Sequence, residues 1–94
     1  VIPEAEISRL VEEIASRKVE VKRKLDRVGG KLAQDSRREI ERVLNDLDST
    51  QSYCQGKREI KVWSEGGRRF SEGRTQLEEL RNLDDIHLRP LLEE

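Results

Sequence analysis

Ile7, Val11, Ile14, Val21, Leu25 and Val28 recur at alternating steps of four and three residues, and Lys18 fills the one slot they skip. On an α-helix this spacing gathers all seven side chains into one stripe, the geometry with which a helix lies along another helix. Leu10 and Ala15 widen the stripe in its first half. A stripe broader than a strict coiled-coil seam suits a globular bundle better than a two-stranded coil. Pro3 fits a first helical turn, where its missing N–H is not needed, and Glu4 and Glu6 favour the positive end of the helix dipole. The pattern predicts a helix over 3–28.

Two Gly-Gly pairs, Gly29-Gly30 and Gly66-Gly67, punctuate the chain into three pieces of similar length. Glycine is favoured just past a helix end because it enters the left-handed conformation without a side-chain clash. The second piece opens on Ser36 and Glu39, a Ser-x-x-Glu capping box. Ile40, Val43, Leu44 and Leu47 continue the apolar spacing, followed by Gln51 and Cys54, and the stripe resumes in a shifted phase at Ile60, Trp63, Gly67 and Phe70. This predicts a helix over 36–64. The competing reading is a β-hairpin, with Ile60 and Val62 alternating in one strand, but an isolated hairpin is marginal and no second strand stands out. In the third piece Thr75 and Glu78 form another capping box, and Leu77, Leu80, Leu83 and Ile86 recur every three residues. Pro90 is excluded from a helix interior, which predicts a helix over 71–88. Leu91 and Leu92 either fold back on the bundle or await another partner. The expected fold is all-α, an antiparallel three-helix bundle in a single domain. The alternative is a long helical hairpin or coiled coil that oligomerises.

Composition narrows what such a bundle does. Charged residues make up 41% of the 94 residues and hydrophobic ones 33%, so the core is thin and rests on Leu, Ile and Val. The net charge of −1 gives no global bias toward nucleic acid, yet the charge is segregated. Positions 17–42 carry ten basic and five acidic residues, and positions 75–94 carry two basic and six acidic ones. Such runs solvate helix faces, or draw together neighbouring helices of opposite sign, or form a basic docking patch. The lone Cys54 excludes an internal disulfide and suits an intracellular, cytoplasmic setting. No apolar run approaches the ~20 residues that span a bilayer. A start at Val1 in place of Met reads as a piece of a longer protein or as a processed chain.

The sequence offers no motif for catalysis, cofactor or metal. His87 and Cys54 are single residues of their type, and zinc sites need several converging ligands. Gly29-Gly30-Lys31 is followed by Leu32 and preceded by a predicted helix, which is unlike a phosphate-binding loop. The Ser64-Glu-Gly-Gly stretch lacks the frame of a nucleophile elbow. The expectation is therefore a non-enzymatic helical module for protein–protein interaction or assembly, one domain of a larger scaffold, regulator or effector. Lys18, Lys22, Arg23 and Arg27 are candidate interaction residues. Lys18 either sets register within the apolar stripe or covers it with its aliphatic stem. Trp63 is the sole tryptophan, a core anchor beside Ile60 and Phe70 or a binding hot spot. The alternative function is nucleic-acid binding through 17–42, with phosphates neutralised by its lysines and arginines. Homo-oligomerisation is a further possibility for the stripes.

Overall fold

The computed structural model describes residues 1–93. Ile7, Ile14, Val21, Leu25 and Val28 are buried, and Val11 packs against them. The stripe read from the sequence is thus the inner face of helix α1, Glu4–Val28. Gly29 ends it at φ +53°, with its N–H donating to the Leu25 carbonyl. A 3-10 turn, Gly29–Lys31, then carries the chain to buried Leu32 and into α2, Gln34–Cys54. Burial of Leu32 brings the chain round early, so α2 starts two residues before the expected Ser36 cap. Ser36 faces the last turns of the chain, and its Oγ lies 3.3 Å from His87 Nδ1.

The second helix does not reach residue 64. It stops at Cys54, because Gln55 is extended and Gly56 takes φ +84°, a conformation that leaves the helix. The following chain runs out as a two-residue strand β2, Glu59–Ile60, pairing antiparallel with β1, Ile2–Pro3. Ile60 therefore sits in a strand, but its partner is the start of the chain and not a neighbouring hairpin arm. The third helix, α3, spans Glu65–Leu83 and starts before the expected residue 71. Its cap is Ser64, whose Oγ accepts the Gly67 N–H. Thr75 lies inside the helix, with its hydroxyl donating to the Ser71 carbonyl. Gly66 and Gly67 accordingly open α3 instead of closing α2.

Pro90 does not end the helical run either. Asp84–Leu88 form a π-turn, in which the Arg89 N–H reaches the Asp84 carbonyl, and a short helix α4 follows at Arg89–Leu92. The wider turn places Pro90 in the first turn of α4, where no proline N–H is required. Leu91 and Leu92 pack back on the core.

The three long helices alternate in direction. Between α1 and α2, Lys18 meets Gln51 and Arg37 meets Gly29. Between α2 and α3, Arg42 meets Glu79 and Thr50 meets Gln76. Both sets of contacts run in opposite sequence order, so the neighbours are antiparallel and α1 and α3 are parallel. The molecule is an elongated all-α three-helix bundle of 45 × 20 × 17 Å with one buried apolar core. The helical-hairpin alternative is set aside, since all three helices contribute to that core.

Candidate interaction surfaces

Lys18 and Gln51, the polar residues in two apolar stripes, find each other. Lys18 Nζ donates to Gln51 Oε1 at 2.8 Å and forms an ion pair with Asp48. Lys18 is thus an internal tie between α1 and α2. Much of the rest of the 17–42 region is also engaged. Arg17 pairs with Glu20, Lys24 with Asp84 and Glu20, and Arg42 with Asp46 and Glu79. Arg37 donates to the Gly29 carbonyl at 2.7 Å, closing the α1–α2 corner. Lys22, Arg23 and Arg27 stay exposed with no ion-pair partner among the described residues. They do not form one patch. At 100° per residue, Lys22 turns toward α2, where it lines a shallow groove with Asp48 and Glu41, while Arg23 and Arg27 lie on the outer side of α1.

Lys24 and Asp84 form the most sheltered of these pairs. Their atoms are 2.7 Å apart, and Asp84 is buried. The hydrogen bond to Asp84 raises the Lys24 pKa above its ordinary value, against the lowering effect of burial, and the Asp84 and Glu20 charges add to the rise. Asp84 Oδ1, the other carboxylate oxygen, is buried with no hydrogen-bond partner.

Trp63 is not in the core. It is 97% exposed at the far end of the bundle, beside half-exposed Val62. Its loop is firmly held. Ile60 is buried and laddered to Ile2, and Ser64 Oγ donates to the Lys61 carbonyl at 2.6 Å. The Val62 carbonyl lies so close to Gly67 that a Cβ there would overlap it. The chain therefore fixes a short loop and leaves its largest side chain in solvent. Trp63 lies near the start of α1, whereas Arg23 is roughly 30 Å farther along that helix at 1.5 Å per residue, so the sequence-derived candidates do not converge.

One surface was not singled out by the sequence. A groove between α1 and α3 is lined by Arg9, Glu13 and Arg17 on one side and Arg74, Glu78 and Arg81 on the other. Its residues recur at steps of four in α1 and of four and three in α3, but the approach of the two helices that brings them together depends on packing. Cys54 and His87 lie near opposite ends of the bundle, so they form no Cys–His pair. Cys54 is fully buried, and that burial pushes its thiol pKa up against the opposing charges of Arg69 and Lys57. Among the described residues there is no group of three or more His, Cys, Asp or Glu placed to hold a metal, and no helix is long and apolar enough to cross a membrane.

No family model matches the chain, and comparison with curated proteins and with solved structures gives no significant match.

Proposed function

We propose that this chain is a non-enzymatic protein-interaction module that meets its partner with the loop around Trp63. The observation that carries the reading is an aromatic side chain 97% exposed on a backbone fixed from both sides. Tryptophan is enriched among residues that dominate binding energy, and a loop already ordered loses little further freedom on docking. The apolar stripes are turned inward, which favours a foreign partner over self-assembly. Nucleic-acid binding through 17–42 is the weaker reading. Lys18, Lys24, Arg37 and Arg42 are engaged within the chain, and Lys22 lies on a different side of α1 from Arg23 and Arg27.

Because Trp63 is the sole tryptophan, its fluorescence reports directly on this loop. Wild type and Trp63→Ala are immobilised and exposed to extract of the source cells. A protein retained in high salt by the wild type and lost from Trp63→Ala is expected, and once purified it should shift Trp63 emission to the blue. Equal retention by both forms would overturn the assignment. Retention abolished by nuclease, with a steep salt dependence, would favour the nucleic-acid reading instead.

A further inference from the structure

Two cations share one aromatic ring at the Trp63 end of the bundle. Lys57 Nζ lies 4.6 Å from the centroid of the Tyr53 ring, and the Arg69 guanidinium carbon lies 4.8 Å from it. The three residues come from the end of α2, the turn after Gly56 and the first half of α3. Both charges also bear on Cys54, the neighbour of Tyr53, where each opposes the rise that burial gives the thiol. Elsewhere, cations that bridge two elements meet carboxylates, as Lys18 does with Asp48, Lys24 with Asp84 and Arg42 with Glu79. Among the described residues, Lys57 and Arg69 have no carboxylate within ion-pair distance. One turn to either side of Arg69 on α3, Glu65 and Glu72 are both taken by Arg68. Arg69 Nε is buried and meets no hydrogen-bond acceptor among the described residues. A ring face attracts a cation but supplies no acceptor oxygen, so the directed N–H groups of the guanidinium stay unmet. Two like charges gathered on one ring repel each other, and an oxyanion is the group that satisfies both.

The cluster adjoins the loop that carries Trp63. A Cβ on Gly66 would lie 3.2 Å from the Tyr53 hydroxyl oxygen and 3.3 Å from Ser64 Oγ, so the phenol edge comes close to the residue next to Trp63. Lys57 is exposed, and Tyr53 and Arg69 are half-buried, so the cluster is reached from solvent. We infer that Lys57 and Arg69, gathered on Tyr53, form an oxyanion subsite that takes an acidic side chain of the partner docked on the Trp63 loop. The subsite itself follows from the unpaired cations, whereas the partner as source of the oxyanion rests on the function proposed above. Charge complementarity selects the occupant: the oxygens of a carboxylate or a phosphoryl group match the guanidinium fork and the ammonium together. Trp63 supplies affinity, and the oxyanion beside it fixes the partner's orientation.

Inorganic phosphate is the first probe, titrated into the full chain against sodium chloride at equal ionic strength and followed by nitrogen-15 NMR. The Arg69 Nε–H and Tyr53 ring signals are expected to move and to saturate, while the backbone amide of Arg23, an exposed cation far from this end, stays in place. Lys57→Gln should weaken binding at least about threefold. Arg69→Gln, verified as folded by circular dichroism, should abolish it, and Arg69→Lys, which keeps the charge without the fork, should retain part of it. Absence of saturation, equal movement at Arg23, or binding unchanged in both glutamine variants would each overturn the subsite. The second arm uses the protein that the wild type retains through Trp63. Its loss from Lys57→Gln, with Trp63 in place, is expected. Undiminished retention by Lys57→Gln, with phosphate still binding the wild type, would overturn the partner-borne occupant and assign the subsite to a free anion. Retention independent of Trp63 would overturn the function above, and with it the partner-borne occupant, while the phosphate titration would still decide the subsite.

Discussion

Trp63 and Gly67 lie four residues apart at the same end of the bundle and have opposite roles. Trp63 touches little, so Trp63→Ala should change stability by no more than about half a kcal/mol and leave the melting curve in place. A melting temperature lowered by several degrees would return Trp63 to the core. Gly67 has no side chain because the Val62 backbone occupies that space. Gly67→Ala must push that backbone away, and a loss of about 2 kcal/mol is expected, roughly 10 °C in the melting temperature of so small a domain. Proteolysis at the 57–64 loop should quicken in parallel. None of this was legible locally. The expectation that Trp63 joins Ile60 and Phe70 came from extending a helical phase through Gly56, whose left-handed backbone breaks that phase.

At the scale of elements, α1 was the most legible, because its apolar spacing persists over many turns and every slot but one is filled by an apolar side chain. Short elements hide for the converse reason. Two-residue strands have no room to alternate, and Ser64 caps α3 without the Glu or Gln that completes a capping box. The Lys24–Asp84 pair ties α1 to the π-turn, and it supplies a test at this scale. Lys24→Met strands a buried carboxylate whose other oxygen is already unpartnered, so it should cost about 2 kcal/mol by denaturant titration. Lys24→Met/Asp84→Leu should recover most of that loss. The pH dependence has a definite sign. The raised lysine contributes its full stabilisation below the ordinary lysine value of about 10.4, and loses it as the pH climbs through the raised value. The stability gap between wild type and Lys24→Met should hold through neutral pH and close in strong alkali. A gap that widened with alkali would refute the pairing.

For the whole molecule, the bundle follows from the amphipathic pattern because three inward stripes have no better surface to bury against than one another. Sedimentation equilibrium should accordingly return the monomer mass over a hundredfold concentration range, and a concentration-dependent dimer would mean that some apolar surface is shared between chains. The placement of the charged rows could not be read in the same way. Within α1 or α3 the spacing of Arg and Glu is plain, but which row faces which is decided by the close approach of Gly73 to Leu10 and Thr50, a contact between distant parts of the chain.

The ladder between Ile2 and Ile60 has a consequence in time as well as in space. It joins positions about sixty residues apart, so its closure costs chain entropy that only an already assembled bundle offsets. Helices α1 and α2, joined by a short turn, have nearer contacts and pair first, and this end of the molecule locks later. Amide exchange at Ile2 and Ile60 should then be faster than along the buried faces of α1 and α2, because this end opens without the rest. A newly made chain would hold its helices together before it holds Trp63 in place, so a partner that reads this loop would meet only molecules that have finished folding.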